Sequence, residues 1–162
     1  MKIGYLFVAG LLIGSIGCSN KSGNAYVQDY DGERTYVNPS SASEAEGAPF
    51  SGAVEVGNTV YLSGMIGRNS DGQIPDTAEE EARLVLDQAK AALEELGMTM
   101  DDLVSVQVFC SDVAHYDAFN SVYRTYFKDI FPSRAFIGSG ALLFDARFEV
   151  QSVAMRRYTR KH

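Results

Sequence analysis

Phe131 to Met155, FPSRAFIGSGALLFDARFEVQSVAM, carries both the strand pattern and the chemistry of this chain. A Pro132-Ser133-Arg134 turn opens an apolar run from Phe136 to Phe144 that two glycines interrupt. Beyond it Phe148, Val150, Ser152 and Ala154 alternate with Glu149, Gln151, Val153 and Met155, and a period of two is that of a strand with one buried face. The segments read as neighbouring strands, with Arg134 on or beside one and Glu149 on the other. A guanidinium is a rigid fork of donors that can hold a carboxylate through two parallel hydrogen bonds, and a carboxyl group can take and return a proton. Arg134 and Glu149 are therefore the candidate catalytic pair. The same side chains would also serve as an ion pair knitting two strands or two subunits.

Upstream, the spacing predicts a short edge strand over Arg34 to Val37, ended by Asn38-Pro39. Gly52 to Val56 and Thr59 to Leu62 flank a two-residue Gly57-Asn58 turn, the signature of a hairpin, and Ser63-Gly64 reads as the strand end. Asp76-Thr77-Ala78-Glu79-Glu80 has the make-up of a helix start, with Thr77 and Glu80 as a capping box and an acidic first turn. Ala82, Val85, Leu86, Ala89, Ala92, Leu93 and Leu96 then recur on one helical face up to Gly97. Leu103 to Cys110 is a strand with Val104, Val106 and Val108 on one face, and Tyr116 to Ile130 a second amphipathic helix with an aromatic stripe read as core. Helices with one apolar stripe each, segregated to one face of a mixed sheet, make an α+β fold. The other sheet face would seek a partner, so oligomerisation is expected.

At 162 residues, 46% hydrophobic and 22% charged, the composition is that of one globular domain. A net charge of -7 disfavours nonspecific nucleic-acid binding, which depends on neutralising phosphates, and no specific nucleic acid is expected. Arg156, Arg157, Arg160, Lys161 and His162 cluster at the end of the chain, read as a solvated basic tail rather than a binding patch. Cys110 ends an apolar strand and reads as a buried inert thiol. With His115 and His162 the only histidines, neither a metal cluster nor a Cys/His catalytic pair is visible; His115 reads as surface or capping.

Lys2 followed by the apolar segment Ile3 to Ile16 has the build of a secretory signal and is too short for a comfortable membrane span. Cys18 after Ser15-Ile16-Gly17 resembles the lipobox of bacterial lipoproteins, whose cysteine is lipidated and becomes the new N-terminus, although Ser15 stands where such signals usually carry Leu. A cleaved signal or uncleaved anchor with an incidental cysteine is the other reading. The expectation is a signal over residues 1–17, a tether over 18–33 after lipidated Cys18, and a folded domain over 34–162, exported and held to a membrane of the cell envelope by the lipid.

The strings GAPFSGAVEVGNTVYLSGMIG, VSVQVFCSD, AFNSVYRTYF, FPSRAF and FEVQSVAMRR, in this order from about Arg34 to Arg157, resemble the Rid (reactive intermediate deaminase, or YjgF) family. The resemblance implies a chorismate-mutase-like fold and a homotrimer with clefts between subunits. It implies hydrolysis of 2-imino or 2-enamino acids to 2-keto acids and ammonia without a cofactor. By that resemblance Arg134 grips the substrate carboxylate, and Glu149 activates water or protonates. Ser63 and Gly64 approach the ligand, and Asn120 is a polar residue of the second helix near the site. Phe50 stands where many members carry Tyr, Gly52 and Met65 where glutamines are common, Phe136 for a frequent Cys and Leu143 for a usual Pro, so a more apolar pocket is expected. The expected partner is a small imino or keto carboxylate. A non-catalytic binding module for a small carboxylate is the alternative; the endoribonuclease activity attributed to some relatives ranks third, since no histidine pair is present for acid–base cleavage of RNA.

Overall fold

A computed structural model describes residues 26–30 (backbone), 34–38, 49–128 and 130–157. Nine elements follow in chain order: β1 Tyr26–Tyr30, β2 Arg34–Asn38, β3 Ala53–Val56, β4 Thr59–Ile66, α1 Ala78–Glu95, β5 Leu103–Cys110, α2 Tyr116–Tyr123, β6 Ser133–Gly138 and β7 Phe148–Met155. The strands form one seven-stranded sheet in the order β1-β2-β3-β4-β7-β5-β6. All neighbours are antiparallel except β5 and β6, whose parallel pairing requires a crossover that α2 supplies.

Local sequence explains the best-formed elements. Thr77 caps α1, its hydroxyl accepting from the Glu80 amide at 3.2 Å, and Gly97 takes a positive φ of 69° just past the last turn. The Arg156 guanidinium donates to the Leu96 carbonyl at 2.7 Å, placing a cation at the negative end of the helix dipole. The buried α1 stripe, Ala82, Val85, Leu86, Ala89, Ala92 and Leu93, shares one core with Val60 and Leu62 of β4, Val106 and Val108 of β5, and Phe148, Val150 and Ala154 of β7. The alternation expected in β7 is realised residue by residue. Gly57, at φ 58°, supplies the left-handed residue of the β3–β4 turn.

Several expectations change. Tyr26–Tyr30, inside the stretch read as a tether, pairs with β2, so β2 is interior and not an edge. β4 does not end at Ser63-Gly64 but bulges there and continues to Ile66. Val104 points outward because β5 slips register against β7 between Leu103 and Ser105, which turns Leu103 inward instead. α2 ends at Tyr123 and a 3-10 turn, Arg124–Tyr126, replaces its continuation. There the Thr125 hydroxyl donates to the Val122 carbonyl at 2.7 Å, and Tyr126 donates to Asp87 of α1 at 2.6 Å. Ile130 is consequently 81% exposed, off any apolar stripe. Of the basic cluster, Arg156 is half-buried and pairs with Glu55, whereas Arg157 is largely solvated, as expected, while pairing at 2.7 Å with Asp102. Residues 160–162, the signal, Cys18 and the rest of the tether lie outside the described residues.

Candidate functional site

β5 separates β6 from β7, so Arg134 and Glu149 are not on neighbouring strands as the sequence implied. Register fixes their faces. Arg134 lies beside Val106 and Phe136 beside Val108, both turned toward the helices, whereas Glu149 lies beside Phe109 on the opposite pleat. Within one chain the two side chains therefore occupy opposite faces of the sheet, in two separate half-sites.

The first half-site forms around the β4 bulge. One extra residue separates the Leu62–Ser152 and Met65–Val150 pairs, and the Ser63-Gly64 backbone swings out beside Glu149. The Glu149 carboxylate packs over the Gly64 Cα so closely that a Cβ there would overlap it. The Ser63 amide and hydroxyl donate to the Gly52 and Ser51 carbonyls at 3.0 and 2.6 Å, tying the bulge to the segment that follows Phe50. Ser63, Gly64, Phe50 and Glu149 line one cavity of about 620 Å³. No hydrogen bond to the Glu149 carboxylate is made by any of the described residues, which leaves it able to accept from a ligand or water.

The second half-site lies between β6 and α2. Arg134 Nη2 donates to Asn120 Oδ1 at 2.7 Å, and its guanidinium carbon lies 4.5 Å from the Tyr123 ring centroid and within 6.0 Å of Phe119 and Phe136. Arg134 Nη1 and the Tyr123 hydroxyl are buried without a partner among the described residues. Burial pushes the Tyr123 phenol up to about 12, against the opposing pull of Arg134. Asn120, Tyr123, Phe131, Pro132 and Arg134 border a recess of about 210 Å³. The aromatic stripe of α2 is thus core, as expected, and also the cradle of the arginine.

The sequence reading missed Glu81. It is wholly buried and accepts from the Arg147 and Phe148 amides at 2.7 and 2.9 Å and from the Arg147 guanidinium at 2.8 Å. Arg147 also donates to the Pro75 and Asp76 carbonyls. This clamp joins α1 to the first residues of β7, directly before Glu149. The available signal was a carboxylate four residues before Val85, on the buried stripe of α1. His115 makes no side-chain cap; its ring meets Phe148 edge-on at 6.1 Å, while Asp112 caps the preceding turn. The Cys110 thiol donates to the Asp112 carbonyl at 3.0 Å, and burial raises its pKa, which makes it a poor nucleophile. Among the described residues no His, Cys, Asp and Glu cluster could hold a metal, and no helix is long and apolar enough to cross a membrane.

A mixed sheet with two helices on one face, and complementary half-sites that a single chain keeps apart, define the class of α+β protein to which this chain belongs. The family described as Endoribonuclease L-PSP matches residues 41–156, and the chain is a member of that family, the Rid/YjgF proteins. It is 37% identical over 109 residues to a 2-iminobutanoate/2-iminopropanoate deaminase of Dermatophagoides farinae, an alignment covering 66% of this chain and 85% of that protein. The YjgF gene product of Escherichia coli is similar in structure, with a TM-score of 0.67 and 30% identity over 72% of this chain and 95% of the other. The TdcF protein of the same organism, solved with bound serine, has a TM-score of 0.68 and 26% identity, covering 74% and 98%.

Proposed function

We propose that this protein is a cofactor-independent hydrolase converting 2-imino and 2-enamino acids to 2-keto acids and ammonia, at sites completed between the subunits of a homotrimer. The observation that carries the reading is Arg134 Nη1, a buried cationic donor without a partner among the described residues. Such a donor is costly unless a ligand meets it, and a substrate carboxylate is the ligand its fork fits. The carboxylate that would handle protons is on the far face of the same sheet, so a second copy must supply one half. The face turned from the helices carries exposed Tyr61, Ile137 and Met155, an apolar surface for that copy to cover.

In this arrangement Arg134 holds the substrate carboxylate while Asn120 and the aromatic cradle fix the guanidinium. Water bonds to the imine carbon as Glu149 takes one of its protons, and Glu149 passes that proton to nitrogen. The hydroxyl of the resulting carbinolamine then gives its proton through Glu149 to the amine nitrogen, and the C–N bond breaks to release ammonia as the keto group forms. Orientation supplies much of the advantage, because the uncatalysed hydrolysis already runs in water.

The second reading, a binding module for a small carboxylate, draws on Phe50, which brings a ring without a hydroxyl to the Glu149 cavity, and on the serine bound by the similar TdcF protein. RNA cleavage is disfavoured by the net charge of -7 and by His115, whose ring packs against Phe148. We place the protein in the cell envelope, exported and lipid-anchored through Cys18; labelling by a fatty-acid analogue that persists in Cys18→Ala would refute the anchor. The activity is tested by generating imino acids with an amino-acid oxidase and trapping surviving imine with semicarbazide. The protein should lower the trapped imine, and Arg134→Ala and Glu149→Ala should do so far less at low imine concentration. Equal trapping with and without the wild type would leave the binding module.

A further inference from the structure

The rim of the Glu149 cavity is built by a strained turn. Between β6 and β7, Leu143–Asp145 forms a 3-10 turn in which Phe144 has φ 60° and ψ 23° and Asp145 has φ 57°. Left-handed backbone is unfavourable for a residue with a Cβ and persists only where surrounding contacts impose it. Two such residues in succession hold the Phe144 ring at the cavity wall, its centroid 4.4 Å from the Arg68 guanidinium carbon. Phe144 and Leu143 are nevertheless 55% and 69% exposed, and Phe50 of the same lining is 52% exposed. Three large apolar side chains thus border open cavity instead of joining the core, and Met65 and Ile66 extend the apolar lining.

We infer that this cavity receives the substrate's side chain and that the protein selects 2-imino acids with branched or aromatic apolar side chains over short-chain ones. The inference rests on the deaminase reading above. The carboxylate and imine of any such substrate are held between Arg134 and Glu149, so only the substituent is free to occupy the remaining space. Within one chain the cavity holds about 620 Å³; the subunit that brings Arg134 and the carboxylate and imine held beside Glu149 take part of it, and the wall of Phe50, Leu143 and Phe144 is the part left to the substituent. An added methylene buried in a hydrophobic pocket improves discrimination by about 10–200-fold. The strain at Phe144 and Asp145 has a role here: it holds an aromatic wall at the cavity edge that a relaxed turn would not fix in place.

The keto acid products are stable probes of the pocket and need no turnover. Calorimetric titration of the full chain should show 4-methyl-2-oxopentanoate or phenylpyruvate binding at least about tenfold tighter than pyruvate. Phe144→Gly removes the ring and relieves the left-handed strain, so it should fold while the affinity ratio falls several-fold. Phe50→Ala tests the pocket without touching the turn and should lower the ratio in the same direction. Absence of keto acid binding, equal or weaker binding of the large acids, or a ratio unmoved in both variants would overturn the inference. Measuring kcat/KM for imines of leucine, phenylalanine and alanine separates the two claims. Selective binding with no imine turnover would sink the deaminase reading and leave the pocket, whereas equal kcat/KM for all three would sink the pocket and leave the deaminase.

Discussion

The Arg134 guanidinium is partly desolvated before any substrate arrives, because aromatic rings occupy much of its surroundings and Asn120 takes only one of its terminal nitrogens. A charge-assisted contact to such a donor is worth about 1.5–3 kcal/mol, so Arg134→Ala should raise KM by roughly 10- to 100-fold. Arg134→Lys should restore little, since an ammonium cannot present the planar fork. Glu149→Gln keeps the shape but not the proton transfer, and kcat should fall by about 10²–10⁴-fold. The aromatic cradle also leaves a signature in stability. The Tyr123 phenol is raised to about 12 by burial, so the folded state holds that proton more tightly than an unfolded chain whose tyrosines titrate near 10. The contribution is full below about pH 10 and is lost as pH rises through about 12. Denaturant unfolding on either side of that window should show stability falling with pH, and falling less in Tyr123→Phe; equal slopes would contradict this. Tyr126, through burial and its bond to Asp87, and the buried Cys110 thiol shift in the same direction and contribute to the slope that remains.

At the scale of elements, a bulge and a clamp fix the position of Glu149. Gly64→Ala would thrust a Cβ into the Glu149 carboxylate. Because displacement by an ångström can cost on the order of 10²-fold in rate, kcat should fall far more than thermal stability does. The clamp behaves oppositely. Glu81→Ala removes the counter-charge of Arg147 and the acceptor of two backbone amides, so unfolding should become easier by about 3 kcal/mol, and Glu81→Gln should cost less. Elements written in adjacent residues were legible in the sequence: the Thr77 cap and stripe of α1, the Gly57-Asn58 hairpin, and the alternation of β7. Elements decided by distant partners were not. The bulges at Ser63-Gly64 and Leu103 are register choices made against β7, and beyond the end of α2 the Tyr126 hydroxyl turns to Asp87 of α1. Glu81 announced itself only as a carboxylate on a buried stripe; its partner, Arg147, lies 66 residues away.

For the whole molecule, the candidate site residues were legible as a set while their arrangement was not. Arg134, Asn120, Ser63, Gly64, Phe50 and Glu149 all line cavities or contact one another, but in two groups that β5 holds apart. Pattern alone gives a strand its period, not its neighbour, and inserting β5 between β6 and β7 separates the pair. The protein should therefore be an oligomer, with light scattering giving three times the chain mass. Mixing shows whether Arg134 and Glu149 act together only across chains. Arg134→Ala and Glu149→Ala proteins, each strongly impaired alone at substrate well below the wild-type KM, are unfolded together, refolded and assayed for imine hydrolysis under that condition. If each site draws one residue from either side of a symmetric interface, about one quarter of the sites in a randomly mixed trimer regain both residues, and activity returns to that level. Refolded mixed oligomers with no more activity than either variant alone would contradict the account.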